Sequence, residues 1–230
     1  MSEMSITMSD TGIHKNPAAV DYIGSAFVAV VLTAISYLVA TIFGWVETLD
    51  YLEVFAVFTS YACTWLCVKQ RRFNYVLGVI SSAAYAVLFW KLDLLASMML
   101  NIYLVPTLVY GWLRWRKDEI ARPVKNLAWK ALPAYAAVTG VIYFGAVKLV
   151  EAFDGQLATL DSAILIGTVL AQFLLDNKKL QNWLVWAVVN IIAIYVYATA
   201  GLYLVAFQYV LFLLNAGYGY YSWKGTMKNA

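Results

Sequence analysis

Charged residues are scarce in this sequence of 230 residues. Asp, Glu, Lys and Arg together make up only 13% of the chain, whereas hydrophobic residues make up 63%. An average soluble domain is about 45–50% apolar and about 25% charged. The shortage of charge therefore argues against a soluble globular protein, and the excess of apolar residues predicts an integral membrane protein.

Residues that commonly carry out catalysis are also few. The single histidine, His14, lies in a polar N-terminal stretch, and the two cysteines, Cys63 and Cys67, lie one helical turn apart in an apolar segment. A metal site would need further ligands nearby, so this pair favours packing or a membrane-facing position. The sequence also lacks a glycine-rich phosphate loop, a metal-ligand cluster and a histidine-containing triad. We therefore expect a protein that is not an enzyme and that uses no cofactor.

Long apolar runs make up most of the chain. A hydrocarbon core about 30 Å thick requires about 20 apolar residues per helix. We therefore predict an all-α membrane protein with about eight transmembrane helices, at residues 21–43, 47–68, 74–90, 92–113, 129–150, 159–175, 180–198 and 202–222. The polar first 20 residues lack the apolar core of a cleavable signal peptide, so the first span should stay attached.

The basic residues predict the orientation of these spans. With a cytoplasmic N-terminus, 14 of the 16 Lys and Arg residues fall inside, and Lys91 and Lys148 fall outside. This bias follows the positive-inside rule. It predicts a multi-pass protein surrounded by lipid bilayer, with both termini in the cytoplasm. We interpret the basic clusters as topology anchors, so no nucleic-acid partner is expected.

The last three spans repeat the second, third and fourth. Residues 53–115 align with residues 161–223 at a constant offset of 108, and the landmarks agree in order, depth and character: Glu53 with Asp161, Arg71 with Lys179, Asn74 with Asn182, Ser82 with Asn190, Gly111 with Gly219, and Trp115 with Trp223. A single helix between two triplets makes the triplets parallel, and parallel repeats place a transport path at their interface. The predicted units are a polar tail (1–20), an extra N-terminal helix (21–46), a first three-helix repeat (47–117), a linker with its helix (118–154), a second three-helix repeat (155–224) and a C-terminal tail (225–230).

One stretch of the seventh span carries an unusual surface. Trp183, Trp186 and Asn190 fall at i, i+3 and i+7, which is one face of a helix. Two indoles and a carboxamide suit the wall of a cavity for a flat, polar, aromatic solute better than a surface facing lipid. An indole face attracts a desolvated cation by about 2 kcal/mol or more. Asn182 has the counterpart Asn74 at the start of the matching helix, which favours a structural role for it.

Further polar side chains lie at mid-depth, where they usually face protein or water. They are Asn101, Thr107, Thr168, Gln172, Asn190, Gln208 and Asn215. Amides and hydroxyls suit a solute with an amide and sugar hydroxyls, because they donate and accept hydrogen bonds. The alternative is a bond between helices, worth about 0.6 kcal/mol on average. We favour that alternative for Thr107, Thr168 and Gln172, and contact with the solute for Asn190 and Gln208.

Ionisable side chains are absent from the deep parts of the six repeat helices. A proton-coupled carrier normally holds a titratable group there. Glu53 and Asp161 instead start helices near the outer face, where a carboxylate complements the helix N-terminus. The sequence therefore predicts an uncoupled carrier.

The motif Asn182-Trp183-x-x-Trp186-x-x-x-Asn190, the acidic starts of the two triplets and the Gly-x-x-x-Trp endings resemble the PnuC vitamin transporters of bacteria. The resemblance covers residues about 50–224. It implies a SWEET-like fold with a 3+1+3 core, and facilitated diffusion of nicotinamide riboside for NAD synthesis, with a cytoplasmic kinase that traps the product by phosphorylation. It also implies that related members carry thiamine or riboflavin, and that some members are homotrimers.

The resemblance also implies which residues contact the substrate. Carried over by position, they include Trp183, Trp186, Asn190 and Gln208. The family usually has Gln where this chain has Asn101, and Asn where it has Ser81. The expected small-molecule partner is nicotinamide riboside. Thiamine or riboflavin is the alternative within the family, and a membrane receptor or adaptor without transport is the alternative from another class.

Overall fold

The computed structural model describes residues 17–46, 48–92, 95–115, 123–152 and 158–228. Within these ranges it contains eight α-helices and no strand: α1 (Pro17–Ile42), α2 (Tyr51–Val68), α3 (Asn74–Lys91), α4 (Leu95–Arg114), α5 (Leu132–Ala152), α6 (Ala158–Asp176), α7 (Asn182–Thr199) and α8 (Tyr203–Lys228). The predicted all-α class with eight helices is therefore confirmed. Some parts of the chain discussed above lie outside the described residues, namely residues 1–16 with His14, residues 229–230 and the side chain of Asp161.

Length and composition alone qualify four segments as membrane spans. They are Ala18–Ile42, Tyr51–Val68, Trp129–Lys148 and Asn182–Thr199, with 18 to 25 residues each. At about 1.5 Å per residue, 18 residues extend about 27 Å, which is close to the thickness of a hydrocarbon core. The other predicted spans are helical too, and they carry polar side chains such as Ser81, Asn101 and Gln208 on faces turned toward protein.

The two triplets repeat each other in backbone detail. α3 and α7 begin at Asn74 and Asn182, and α4 and α8 begin at Leu95 and Tyr203, so both pairs are 108 residues apart. The turns before α3 and α7 repeat as well. Gln70 and Lys178 both adopt a left-handed backbone, with φ of 56° and 48°. In each turn the next residue donates its N–H to a carbonyl five positions earlier at 2.8 Å, the bond that closes a Schellman motif.

One end of the bundle collects the basic side chains, and we call it the basic end. It is formed where α2, α4, α6 and α8 end, and it carries Lys69, Arg71, Arg72, Arg114, Lys178, Lys179 and Lys224. An ion pair of 2.7 Å between Arg71 and Asp21 attaches the start of α1 there. The backbone of Lys125, in the chain leading to α5, forms two hydrogen bonds of 3.0 Å with the turn between α6 and α7. The basic end is thus a tightly connected layer.

Hydrogen bonds at this end join the triplets symmetrically. Trp115 Nε1 donates to the backbone oxygen of Asp176 at 3.2 Å, and Trp223 Nε1 donates to the backbone oxygen of Val68 at 3.1 Å. These four positions are related by the offset of 108 residues. α2 also packs against α8, and α4 against α6, which are equivalent contacts. The triplets therefore meet across a pseudo-two-fold axis, as parallel repeats do.

The two remaining helices lie outside this core. α1 packs against α2 and α8, and α5 packs against α6. α5 exposes Val138, Val141 and Phe144 at 60%, 75% and 69%. In a protein that spans a membrane, such an apolar surface faces lipid or another subunit. The space between the triplets is left for the functional site.

Candidate functional site

A cavity of about 210 Å³ lies between the two triplets. Among the described residues, 24 line the cavity; they come from all six repeat helices, and each of them is uncharged. Ligand pockets for drug-sized molecules usually measure about 300–1,000 Å³, so this one is small. Its polar lining consists of hydroxyl, amide and phenol groups: Ser60, Thr64, Asn74, Ser81, Ser82, Tyr85, Asn101, Thr168, Gln172, Asn190, Tyr209 and Asn215. The cavity can therefore offer many neutral hydrogen bonds to one small solute.

Eight of the ten residues that the sequence offers as candidates for the site line this cavity. They are Ser81, Asn101, Thr168, Gln172, Trp183, Trp186, Asn190 and Asn215. Thr168, Gln172 and Asn190 are buried, at 3%, 4% and 3% exposure. The fold thus brings together residues from both triplets that are up to 134 positions apart in the chain. Their contact with substrate stays a prediction.

Thr107 does not line the cavity. Its hydroxyl donates to the backbone oxygen of Leu104 in its own helix at 2.7 Å. The cavity-facing side of α4 is instead formed by Asn101, Leu104 and Leu108, spaced at i, i+3 and i+7. Thr107 lies off that stripe, so its contact with substrate stays a prediction that this cavity does not support.

Gln208 also lies outside the lining, but it contacts two lining residues. Its Oε1 accepts a hydrogen bond from the Tyr85 hydroxyl at 2.6 Å, and its Nε2 donates to Ser60 Oγ at 2.7 Å. Gln208 is 3% exposed and belongs to α8, whereas Ser60 and Tyr85 belong to the first triplet. Both ends of this amide therefore hold the triplets together and position Tyr85. Tyr85 could not be singled out from the sequence, because a tyrosine in an apolar run is ordinary.

Trp183 forms a buried part of the cavity wall and is 4% exposed. Its ring packs edge-on against Trp223, with centroids 5.4 Å apart. On another side it rests on Gly219, where an added Cβ would come within 2.6 Å of three ring atoms. Its Nε1 has no hydrogen-bond partner among the described residues. Because the ring is buried, Trp183 packs inside the protein, and its Nε1 is a buried donor in the wall.

The repeat partner of Trp183 is Tyr75, and the two are used differently. The Tyr75 hydroxyl donates to Asp176 Oδ1 at 2.7 Å, and Gln172 Nε2 donates to the same oxygen at 2.8 Å. Asp176 is 2% exposed. The sequence reading missed it because the predicted span stopped at residue 175. The spacing i, i+4 between Gln172 and Asp176 was an available signal.

The cysteine pair also lines the cavity. Cys63 and Cys67 are both free thiols, and they share one face of α2 with Ser60 and Thr64. They therefore face the cavity and pack there, and they do not face lipid. A face of small, weakly polar side chains at i, i+3 and i+7 was the signal in the sequence.

A family model described as nicotinamide mononucleotide transporter matches residues 50–225. The chain belongs to this family. The match spans both triplets and the helix between them, so it includes the whole cavity. Together with the relatives named PnuC, this match confirms the predicted likeness to PnuC transporters.

Relatives of the nicotinamide mononucleotide transporter family agree with this assignment. The nicotinamide riboside transporter PnuC of Haemophilus influenzae is 29% identical over 204 residues, covering 84% of this chain and 88% of the relative. The transporter of the same name from Escherichia coli is 23% identical over 213 residues, covering 78% and 87%. The crystal structure of the vitamin B3 transporter PnuC is similar with a TM-score of 0.73 at 25% identity, covering 89% of this chain and 92% of that one. In agreement with the names of these relatives, this protein is a multi-pass membrane transporter and not an enzyme.

Proposed function

We propose that this transporter carries nicotinamide riboside by facilitated diffusion. The observation that carries the proposal is the uncharged cavity between the triplets, with Trp183 and Trp186 in the wall that also holds Asn190. The pyridinium ring of the substrate is a flat cation, and an indole face attracts such a cation strongly when both are desolvated. Asn101 and Asn215 add amides from the first and second triplet.

The polar groups of the cavity also suit the rest of this substrate. A carboxamide needs a donor and an acceptor, which the side chain of Asn190 offers together. Ribose hydroxyls can pair with Ser81, Thr168 and Gln172, which line the same space. The orphaned Nε1 of Trp183 would gain an acceptor when a solute fills the cavity.

A riboside fits this lining better than a mononucleotide does. A phosphate group is typically bound by Arg, Lys or a helix N-terminus. The 24 described lining residues are uncharged, and they include no such cation. We therefore favour the riboside named by the relatives over the phosphorylated compound named by the family description.

Titration calorimetry of the detergent-purified protein tests the choice of substrate. Nicotinamide riboside should bind, and nicotinamide mononucleotide should bind much more weakly. Thiamine is the alternative, because its thiazolium ring would also be attracted by indoles. Preference for thiamine or riboflavin would contradict the proposal. Binding without flux into vesicles would favour the receptor alternative.

We further propose that transport is uncoupled and that a cytoplasmic kinase traps the product without needing to contact the transporter. Proteoliposomes loaded with buffer should accumulate labelled nicotinamide riboside only up to the outside concentration. Dissipating proton and sodium gradients should leave this equilibration unchanged. Adding a riboside kinase with ATP inside the vesicles should raise the total label above that level. Loss of equilibration without gradients would contradict the uncoupled mechanism.

The setting proposed for this activity is a bacterial inner membrane with both termini in the cytoplasm. The collection of Lys and Arg side chains at the basic end supports that orientation. A homotrimer is proposed as the assembly, and the exposed apolar face of α5 offers a surface for subunit contact. Mass determination of the detergent complex tests the assembly.

A further inference from the structure

A carboxylate lies buried between the cavity and the basic end. Asp176 is the last residue of α6, and its side chain receives hydrogen bonds from Tyr75 and from Gln172, which lines the cavity. We propose that Asp176 determines charge specificity by favouring cationic over neutral solutes as they pass from the cavity toward the basic end. This inference rests on the proposed transport of nicotinamide riboside, whose ring is a cation.

The carboxylate lies where the two triplets meet. Tyr75 opens α3 of the first triplet, whereas Gln172 and Asp176 belong to α6 of the second. Gly111 of α4 comes so close that an added Cβ would lie 2.6 Å from Asp176 Oδ1. A solute that leaves the cavity between α3, α4 and α6 would therefore pass beside this group.

The scaffold itself does not require a carboxylate at this position. By the repeat offset, Asp176 corresponds to Val68, Gln172 to Thr64, and Tyr75 to Trp183. The hydrogen bonds from Trp115 and Trp223 reach the backbone oxygens at positions 176 and 68, so any side chain there would satisfy them. Burial of a carboxylate is unfavourable unless it is compensated. Only the second triplet has a buried acid at this position, although the two triplets have matching backbones. This difference indicates a role of Asp176 in function.

Cations near the carboxylate also bind other groups, and the charge of Arg114 acts on Asp176 as well. The guanidinium of Arg114 donates to Asn177 Oδ1 at 3.4 Å. Lys178 Nζ donates to Gln70 Oε1 at 3.3 Å and lies 4.7 Å from the centroid of a Trp115 ring. These groups form the layer of the basic end, whereas Asp176 contacts the cavity wall directly through Gln172. A permeating cation would meet the carboxylate first and the basic layer afterwards.

Opening of the basic end gives the carboxylate its proposed effect. If the triplets separate there, the bond between Tyr75 and Asp176 is stretched, because its two residues belong to different triplets. A cationic solute compensates the exposed carboxylate, and a neutral solute does not. The indole wall then contributes mainly to affinity, and Asp176 contributes mainly to the relative rate of passage.

The test compares two solutes that differ in ring charge. Nicotinamide riboside has a cationic ring, and dihydronicotinamide riboside has the same amide and ribose on a neutral ring. Fluxes of both are measured in proteoliposomes, and their ratio is the readout. Asp176→Asn should lower the charged-to-neutral flux ratio by about tenfold. Asp176→Glu keeps the charge and should retain most of the ratio.

Two control variants separate charge from structure. Tyr75→Phe removes the hydrogen bond but leaves the carboxylate, so the ratio should persist even where the absolute flux changes. Asp21→Asn removes a carboxylate that pairs with Arg71 at the same end of the bundle, and the ratio should stay at the wild-type value. Should Asp176→Asn fail to fold, Asp176→Val provides the same test, because Val68 occupies the equivalent position.

The outcomes distinguish this inference from the proposed function. Wild-type protein that carries neither riboside would overturn the proposed function together with this inference. Wild-type protein that carries nicotinamide riboside, combined with an unchanged flux ratio in Asp176→Asn or Asp176→Val, would overturn the role of Asp176 alone. A ratio that falls equally in Asp21→Asn would also overturn it, because any acid at this end would then suffice.

Discussion

Replacing Gly219 with alanine should push Trp183 into the cavity, although no residue of the lining is itself replaced. Gly219 is not among the lining residues, and it lies directly against the indole of Trp183. The added Cβ would come within 2.6 Å of three ring atoms. Trp223 blocks a second side of the ring, with centroids 5.4 Å apart. Trp183 also lines the cavity, so we expect the displaced ring to move toward that space.

The size of the effect follows from this geometry. Carbon atoms in contact are normally about 3.5–4.0 Å apart, so the ring must move by about 1 Å. Overpacking of this kind usually costs about 1–3 kcal/mol. A substrate that needs the original ring position must restore it on binding, which would weaken the affinity by about 5- to 150-fold.

Titration calorimetry with nicotinamide riboside measures this loss, and thermal unfolding measures the strain. Gly217→Ala is the matched control, because Gly217 lies in the same helix and an added Cβ there would have no atom within 4 Å. The control should bind as the wild type does. Wild-type affinity in Gly219→Ala, with a lowered melting temperature, would refute the placement of Trp183 in the binding wall.

Four further substitutions test the site and its support. Asn190→Leu should abolish binding while size-exclusion behaviour stays unchanged, and wild-type affinity would argue against the amide as a contact. Gln208→Leu leaves Tyr85 and Ser60 without their partner, so thermal unfolding should show a loss of about 1–3 kcal/mol; an unchanged melting temperature would contradict the bridging role. Asn74→Ala and Asn182→Ala each remove a 2.7 Å bond to a backbone oxygen, so each should lower stability by about 0.5–1.5 kcal/mol in denaturant titrations. Of these two residues, only Asn74 lines the cavity. If Asn182→Ala alone changed the calorimetric affinity, that result would contradict the position of Asn74 in the lining.

The helices and their repeat could be predicted because both follow from patterns along the chain. Apolar runs of the right length located the helices, and the constant offset aligned Asn74 with Asn182 before any contact was known. The offset holds in the backbone, where Gln70 and Lys178 adopt the same left-handed turn. Short connections allow no insertion, which keeps the spacing of the two triplets equal.

The cavity lining could be predicted only in part, because depth and polarity do not specify the face of a helix. Thr107 follows Asn101 by six residues, which at about 100° per residue places it about 120° away around the helix. Leu108 lies much closer to the direction of Asn101. This angle, applied to α4, is enough to place Thr107 off the cavity-facing side of the helix from the sequence alone.

Contacts between triplets could not be predicted. Gln208 holds Tyr85, which is 123 residues away, and no local pattern links the two. The burial of Asp176 depends on Tyr75 and Trp115 from the first triplet covering the end of α6. A residue at the end of an apolar run is ordinarily solvated, so its burial became visible only with the packed helices.

The tryptophan bonds that join the triplets at the basic end use backbone acceptors, and this choice affects how the protein can change. Because Trp115 and Trp223 bind main-chain oxygens at positions 176 and 68, substitutions there leave the junction intact. Positions of the cavity lining such as Asn190 and its repeat partner Ser82 take no part in these two bonds either. Evolution or protein engineering can therefore retune which solute is carried, one wall at a time, while these two backbone bonds between the halves are kept.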